Sequence, residues 1–309
     1  MRFFENTKID FLGIRKYAYA FSSVFVLLGI IALIVGPKLS VDFTGGISLE
    51  LDMSAPNENL PMLKIDQIRS VLRNNNASDV EIQTIRGADQ QVFFLFRAKA
   101  GGTDAKTIVN MMKEAFPEYS NKTSFIRLQE EVGPRVGDKL KGDAFLAVLL
   151  AAIGMIIYIW WRFEFTYGVA AIIALIHDVL VTVGLFFITG REISLTIIAA
   201  LLTIVGYSIN DTIVIFDRIR ENVKVSRKES YFSIINRSIN ETLSRTSITS
   251  LTTLIIVLSL YFFGGSVIKD FAFAFMIGVV FGTYSSIFLA SSFLVELSKK
   301  GQKAKKSRA

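Results

Sequence analysis

Six stretches of the chain stay mostly apolar for the ~20 residues that a helix needs to cross a bilayer. They run roughly from 17 to 35, 143 to 161, 165 to 188, 193 to 216, 246 to 263 and 268 to 294. The one long polar interval, 36 to 142, lies between the first two. This pattern predicts a polytopic α-helical membrane protein of six transmembrane helices, with one domain inserted between helices 1 and 2. Arg2, Lys8, Arg15 and Lys16 precede the first run, as in a signal peptide. The run is too long for a signal core, and "IVGPKLS" (34–40) offers no small-residue cleavage site, so a retained anchor is expected.

Inside the polar interval the period changes again. "ISLELDM" (47–53) alternates as a strand, "KIDQIRSVLRNN" (64–75) has helical spacing, and "DVEIQTI" (79–85) and "QVFFLFRA" (91–98) form two strands joined by the turn-rich "RGADQ". "TDAKTIVNMMKEAF" (103–116) is a helix with Thr103 or Asp104 as cap, and "SFIRLQEEV" (124–132) is a last strand. The order βαββαβ is the ferredoxin-like arrangement. It contains no Ser/His/Asp set, no metal-ligand cluster and no phosphate loop. A binding or mechanical role is therefore expected, with either an extended peptide at an edge strand or a partner subunit as the docked species.

Composition agrees with the hydrophobic pattern: 51% of residues are hydrophobic, 26 are Phe, and mean hydropathy is +0.47. Net charge is +7, yet the placement of the charge argues for a membrane and against nucleic acid. Eighteen Lys and Arg fall in residues 1–16, at Arg162, between the fourth and fifth runs and after Leu297; Arg191 and Lys269 alone lie in the short loops opposite. This bias places both termini in the cytoplasm and the inserted domain outside. Trp160 and Trp161 mark an inner boundary, and the basic tail suits anionic headgroups or a cytoplasmic partner. The chain has no Cys, so disulfides and thiolate metal sites are excluded; no cofactor or metal is expected.

Ionisable groups at bilayer depth are costly and usually face a bundle interior or an aqueous path. His177 and Asp178, Asn210 and Asp211, and Arg245 are the candidates. Asp211 lies about five residues inside its helix, ~7 to 8 Å deep, and Arg245 starts the next helix with a side chain long enough to reach that level. Two readings stand: a static ion pair, or a carboxylate that binds and releases a proton. His177 is either a packed residue or a titrating one, and at most one of 177 and 178 points squarely at the Asp211 helix. Ala274, Gly278, Gly282, Ser286 and Ala290 form a small-residue stripe for close helix packing, within the chain or with a second subunit. Phe232, Ile235, Ile239 and Leu243 share a helical face, which predicts an amphipathic helix on the inner leaflet within a cytoplasmic segment 217–245.

Several motifs together resemble the SecF family of bacterial protein-export membrane subunits, relatives of the resistance-nodulation-division transporters. They are "VDFTGG" (41–46, with Asp42, Phe43, Gly45 and Gly46), "VGPRVGDKL" (132–140), "ALIHDV" (174–179), "GYSINDTIVIFDRIREN" (206–222) and "ETLSRTSITSLTT" (241–253). Ile47 stands where that family commonly has Thr. The resemblance implies six helices and one external domain, divided here as a cytoplasmic 1–16, a helix 17–35, a periplasmic 36–142, a five-helix remainder 143–296 and a cytoplasmic tail 297–309. It implies a location in the bacterial inner membrane and, as partners, SecD, the SecYEG channel, YajC and exported preprotein. It also implies proton flow coupled to late-stage export, with Asp211 and Arg245 in proton transfer; from it His177 and Asp178 take only membership of a family motif, and they and Asn210 are candidates for support.

Three other classes fit less well. A small-molecule or lipid exporter of the same superfamily typically has two six-helix halves and larger external domains. An intramembrane aspartyl protease built on Asp178 and Asp211 would need a Gly where "GYSIND" has Ser208. A passive scaffold predicts that neutralising Asp211 alters stability alone.

Overall fold

The computed structural model describes residues 7–56, 60–86, 91–226 and 228–306. Arg2, Arg227, Arg308 and most of the "RGADQ" turn fall outside these ranges, as do the side chains of the basic tail from Lys299 on. The chain divides into two compact units, one of residues 39–145 and one made of the remainder.

The smaller unit opens with a single helical turn α2 (Val41–Thr44), followed by β1 (Gly46–Asp52), α3 (Ile65–Asn74), β2 (Glu81–Arg86), β3 (Val92–Lys99), α4 (Ala105–Ala115), the short α5 (Pro117–Ser120) and β4 (Ile126–Val132). The strands pair antiparallel in the order β2-β3-β1-β4, the ferredoxin-like arrangement. Alternation sends Ile47, Leu49 and Leu51 of β1 and Phe94, Phe96 and Ala98 of β3 into a core with Ile68 and Leu72 of α3 and Ile108 and Met112 of α4. Of the two candidate caps for α4, Asp104 serves, accepting from the Thr107 N–H at 2.6 Å. The opposite face of β1 is also covered. Glu50 is 1% exposed, 3.3 Å from the guanidinium of Arg127, which itself lies over the Phe93 ring.

The "VDFTGG" and "VGPRVGDKL" motifs interlock. Ser40 caps α2 through the Asp42 N–H, Phe43 is buried, and Gly45 and Gly46 have φ of 69° and 124°. A Cβ on Gly137 would lie 3.1 Å from both Gly45 N and Phe43 O, and one on Gly45 would lie 3.1 Å from Pro134 Cα. Glycine is thus required for conformation at 45 and 46 and for close approach at 137.

Among the described residues six helical segments are long and apolar enough to cross a membrane. They are α1 (Arg15–Val35), α6 (Pro134–Arg162), α7 (Phe165–Ile188), α8 (Leu195–Val225), α9 (Tyr231–Phe263) and a last span in which α10 (Ser266–Tyr284) passes through a π-helical segment (Ser285–Ala290) into α11 (Ser291–Lys306). Helix α6 begins at Pro134, nine residues before the apolar run, because proline suits a first helical turn. Glycines set the α1–α7 crossing: a Cβ on Gly184 would lie 2.7 Å from Gly29 N. The small-residue stripe packs within the chain, where Gly278 faces Ile204 and Gly282 faces Ser208 of α8.

One expectation is corrected. Segment 217–245 contains no separate leaflet helix; it consists of the end of α8, a short connection and the first half of α9. Ile235, Ile239 and Leu243 are buried against Ile215, Phe216 and Ile219, and Phe232 packs beside them. The polar side is occupied too. Asn236 donates to Ile9 O at 2.9 Å, and Asn240 accepts from Ile9 N at 3.0 Å. The apolar face that looked suited to lipid is covered by protein.

Candidate functional site

Apolar sequence alone would make α7, α8 and the last span into helices, with Ser194 capping α8 through the Ile197 N–H and Ser230 capping α9 through the Ser233 N–H. Small residues on the facing surfaces bring the backbones close, and polar side chains meet in the resulting interior. Three hydrogen-bonded groups occupy it.

The first centres on Asp178, 1% exposed. Its Oδ1 lies 2.9 Å from His177 Nδ1, and its Oδ2 accepts from Ser208 Oγ at 2.5 Å and Ser285 Oγ at 2.8 Å. The carboxylate therefore ties together α7, α8 and the π segment. Between the adjacent residues 177 and 178, it is Asp178 that points at the Asp211 helix. In the second group, Thr212 and Ser286 share a hydrogen bond of 2.8 Å.

The third group holds Asp211, 2% exposed. Its Oδ2 accepts from Ser250 Oγ of α9 at 3.3 Å, and Ser250 bonds Thr283 Oγ1 of α10 at 2.6 Å. Arg245 does not pair with it. Its residue is exposed, and among the described residues it forms no ion pair with Asp211. Five helical residues separate Arg245 from Ser250, a rotation of about 140° at 3.6 residues per turn, so α9 presents one or the other to Asp211. Among the described residues the static ion pair is absent.

Asn210 lies on another face of α8, exposed beside a cleft of about 380 Å³ lined by Gly154, Met155, Tyr158, Gly206, Ile209 and Ile213. Among the described residues it forms no hydrogen bond with Asp211. Asp42, Phe43, Gly45 and Gly46 belong to the interlocked motif of the smaller unit and take no part in these groups. Sequence reasoning does not single out the hydroxyls of Ser208 and Ser285 as partners of Asp178, or that of Ser250 as a partner of Asp211. Among the described residues no cluster of His, Asp and Glu has the make-up of a metal site.

The arrangement is thus two buried carboxylates held by hydroxyls. Residues 111–300 match the family model for the protein export membrane protein SecD/SecF, C-terminal. A protein translocase subunit SecF of Desulfurispirillum indicum is 44% identical over 295 residues, 93% of this chain and 91% of the relative. One of Thermodesulfovibrio yellowstonii is 42% identical over 300 residues, 95% and 96% of the two chains. Among solved structures, SecDF of Thermus thermophilus, described as a translocon-associated membrane protein, superposes with a TM-score of 0.82 at 37% identity over 95% of this chain. A SecDF structure in a super-membrane-facing form gives 0.72 at 34% identity over 99%. The chain spans 39% and 41% of those two longer chains. Family model, relatives and fold converge, and the chain belongs to the SecD/SecF family of bacterial protein-export membrane proteins.

Proposed function

We propose that this chain is the SecF-type half of a proton-driven export complex in the bacterial inner membrane, with both termini cytoplasmic and the smaller unit on the outer side. SecD supplies the other membrane half. The complex acts with the SecYEG channel and YajC on preprotein late in translocation. The exposed Asn210 and its cleft support a partner half on that face of α8.

Asp211 is the observation that carries this reading. A carboxylate 2% exposed within a membrane span, met by a hydroxyl and not by a fixed counter-ion, can gain or lose a proton without breaking an ion pair. Ser250 and Thr283 join it to α9 and α10, so a change of its charge alters the grip between three spans. Arg245, exposed and unpaired with it, offers a positive field at the same end of the bundle. A gradient on the order of 150 mV supplies roughly 3.5 kcal/mol per proton, sufficient to bias a two-state element several hundredfold.

The test is Asp211→Asn in the complex co-purified from native membranes. It is expected to assemble normally, to lose proton uptake and to abolish gradient-driven release of a secreted protein. Normal gradient-dependent release by this variant would sink the proposal, and a loss of stability with coupling intact would favour a scaffold.

A further inference from the structure

We infer that Asp178 is a second proton-binding site of the membrane unit, distinct from Asp211, and that its proton exchange resets the hydroxyl clamp joining α7, α8 and the π segment. The inference deepens the proton-coupled reading above and rests on it.

Three polar atoms, two of them hydroxyl donors, converge on two oxygens. His177 Nδ1, Ser208 Oγ and Ser285 Oγ approach at 2.9, 2.5 and 2.8 Å. An ionised carboxylate only accepts hydrogen bonds, and an O–H···O distance of 2.5 Å lies in the range of charge-assisted bonds. With the ring proton on His177 Nδ1, these positions suit the ionised form. A protonated Asp178 must aim an O–H at an acceptor, and two acceptors stand ready. Ser285 Oγ also lies 3.1 Å from Gly282 O, so its hydroxyl can turn to that carbonyl and accept from Asp178. His177 Nδ1 can accept if the ring moves its proton to Nε2. That atom is buried and has no hydrogen-bond partner, so the tautomer change leaves an N–H unsatisfied there and Ser285 is the less costly acceptor.

Each exchange is balanced: the carboxylate takes one proton from hydronium, leaving water, and later returns it to water. What changes is the clamp, because a neutral hydrogen bond is roughly half as strong as a charge-assisted one. The helix ring widened at Ser285 is of the kind that frequently marks functional sites, and Ser285 is the residue whose hydroxyl changes acceptor.

The ionisable groups around the site are few. His177 lies on the same helix. Tyr284 of α10 has its ring centre 6.4 Å from that of His177 and donates to Ala18 O of α1 at 2.9 Å. Asp211 follows Ser208 by three residues on α8 and is engaged by Ser250. From α1, Ser22 bonds the Tyr284 hydroxyl at 3.3 Å. Among the described residues no Lys or Arg pairs with Asp178.

Infrared difference spectroscopy on pH change, in H₂O and D₂O, reads the C=O stretch of protonated carboxyl groups directly. The sample is the chain reconstituted in lipid with its co-purified partner subunit. Two bands from buried carboxylic acids are expected, one lost in Asp178→Asn and the other lost in Asp211→Asn. Ser285→Ala keeps the carboxyl and is expected to move the midpoint of the Asp178 band without removing it. An unchanged spectrum in Asp178→Asn overturns the inference; should that variant not assemble, an unchanged midpoint in Ser285→Ala does so. If the Asp178 band is present and no Asp211-dependent band is found, this site stands and the role given to Asp211 fails, so the two proposals fail separately.

Discussion

Gly278 sets how closely α10 approaches α8, and the structure allows the effect of a single methyl group there to be worked out. A Cβ at this position would lie 2.7 Å from both Cδ1 and Cγ2 of Ile204, and Cγ1 is also in its way. Carbon atoms prefer 3.5 to 4.0 Å, so the overlap is at least ~0.8 Å. Ile204 is fully buried, and all three of its outer carbons face the new group, so no rotamer escapes it. Overpacking of this kind costs ~1–3 kcal/mol. Alanine regains ~1 kcal/mol of helix propensity, which leaves a net loss for Gly278→Ala of about 0–2 kcal/mol, at most roughly a thirtyfold shift toward the unfolded state. Ile204→Ala alone leaves a cavity and costs ~2–5 kcal/mol. The double variant removes the atoms that clash, so its loss should fall short of the sum by the overpacking cost, ~1–3 kcal/mol. Equilibrium unfolding of the purified full chain in mixed micelles, followed by circular dichroism, measures all four proteins. Losses that add to within ~0.5 kcal/mol would refute the argument that these two residues define the helix approach.

Two further expectations concern the smaller unit. Burial pushes the Asp52 carboxyl up, but the hydrogen bonds from Lys122 at 2.8 Å and from Ser54 outweigh it and hold the group below the usual carboxylate range. Its stabilising contribution is therefore complete above the unfolded value of ~3.9 and is lost as pH falls through the lower folded value; unfolding followed against pH should show that acid-side loss, and Lys122→Met should flatten it. Gly46→Ala places a Cβ against Ala98 O and 3.1 Å from Ala100 N at a φ of 124°. A loss of at least ~1–3 kcal/mol is expected, seen as faster proteolysis within residues 39–145, and wild-type resistance would contradict it.

The strand and helix order of residues 39–145 is legible from sequence because each element has one buried face, so period 2 and period 3.6 print themselves on the residue order. The six spans are legible because lipid demands uninterrupted apolar length. Element ends are less so. Residues 217–245 carry many charges and resemble a loop with a surface helix, yet their charges pair with one another, as in Arg218 with Glu241 at 2.6 Å, and the helices continue. Depth along a helix is readable from residue count, but which face meets which neighbour is not, and so Asp211 meets Ser250 where Arg245 was expected. The hydroxyl ligands escape notice for a further reason. Ser and Thr in these helices also bond their own backbone, as Thr203 does to Ala199 O and Ser259 to Ile255 O, and nothing in the residue type separates those from Ser208 or Ser285.

The interlocked glycine motifs have a mechanical consequence. The segment that leads into β1 and the segment that follows β4 touch backbone to backbone, with Gly137 against Gly45 and Phe43. A pull applied through the two connecting segments meets this clasp before it reaches the sheet, so the ladder β2-β3-β1-β4 is shielded from tension while the clasp holds. The unit can then be displaced as a rigid body by its two leads without being stretched. Enlarging Gly137 would open the clasp and direct the same force into β1 and β4, converting a displacement of the unit into its unravelling.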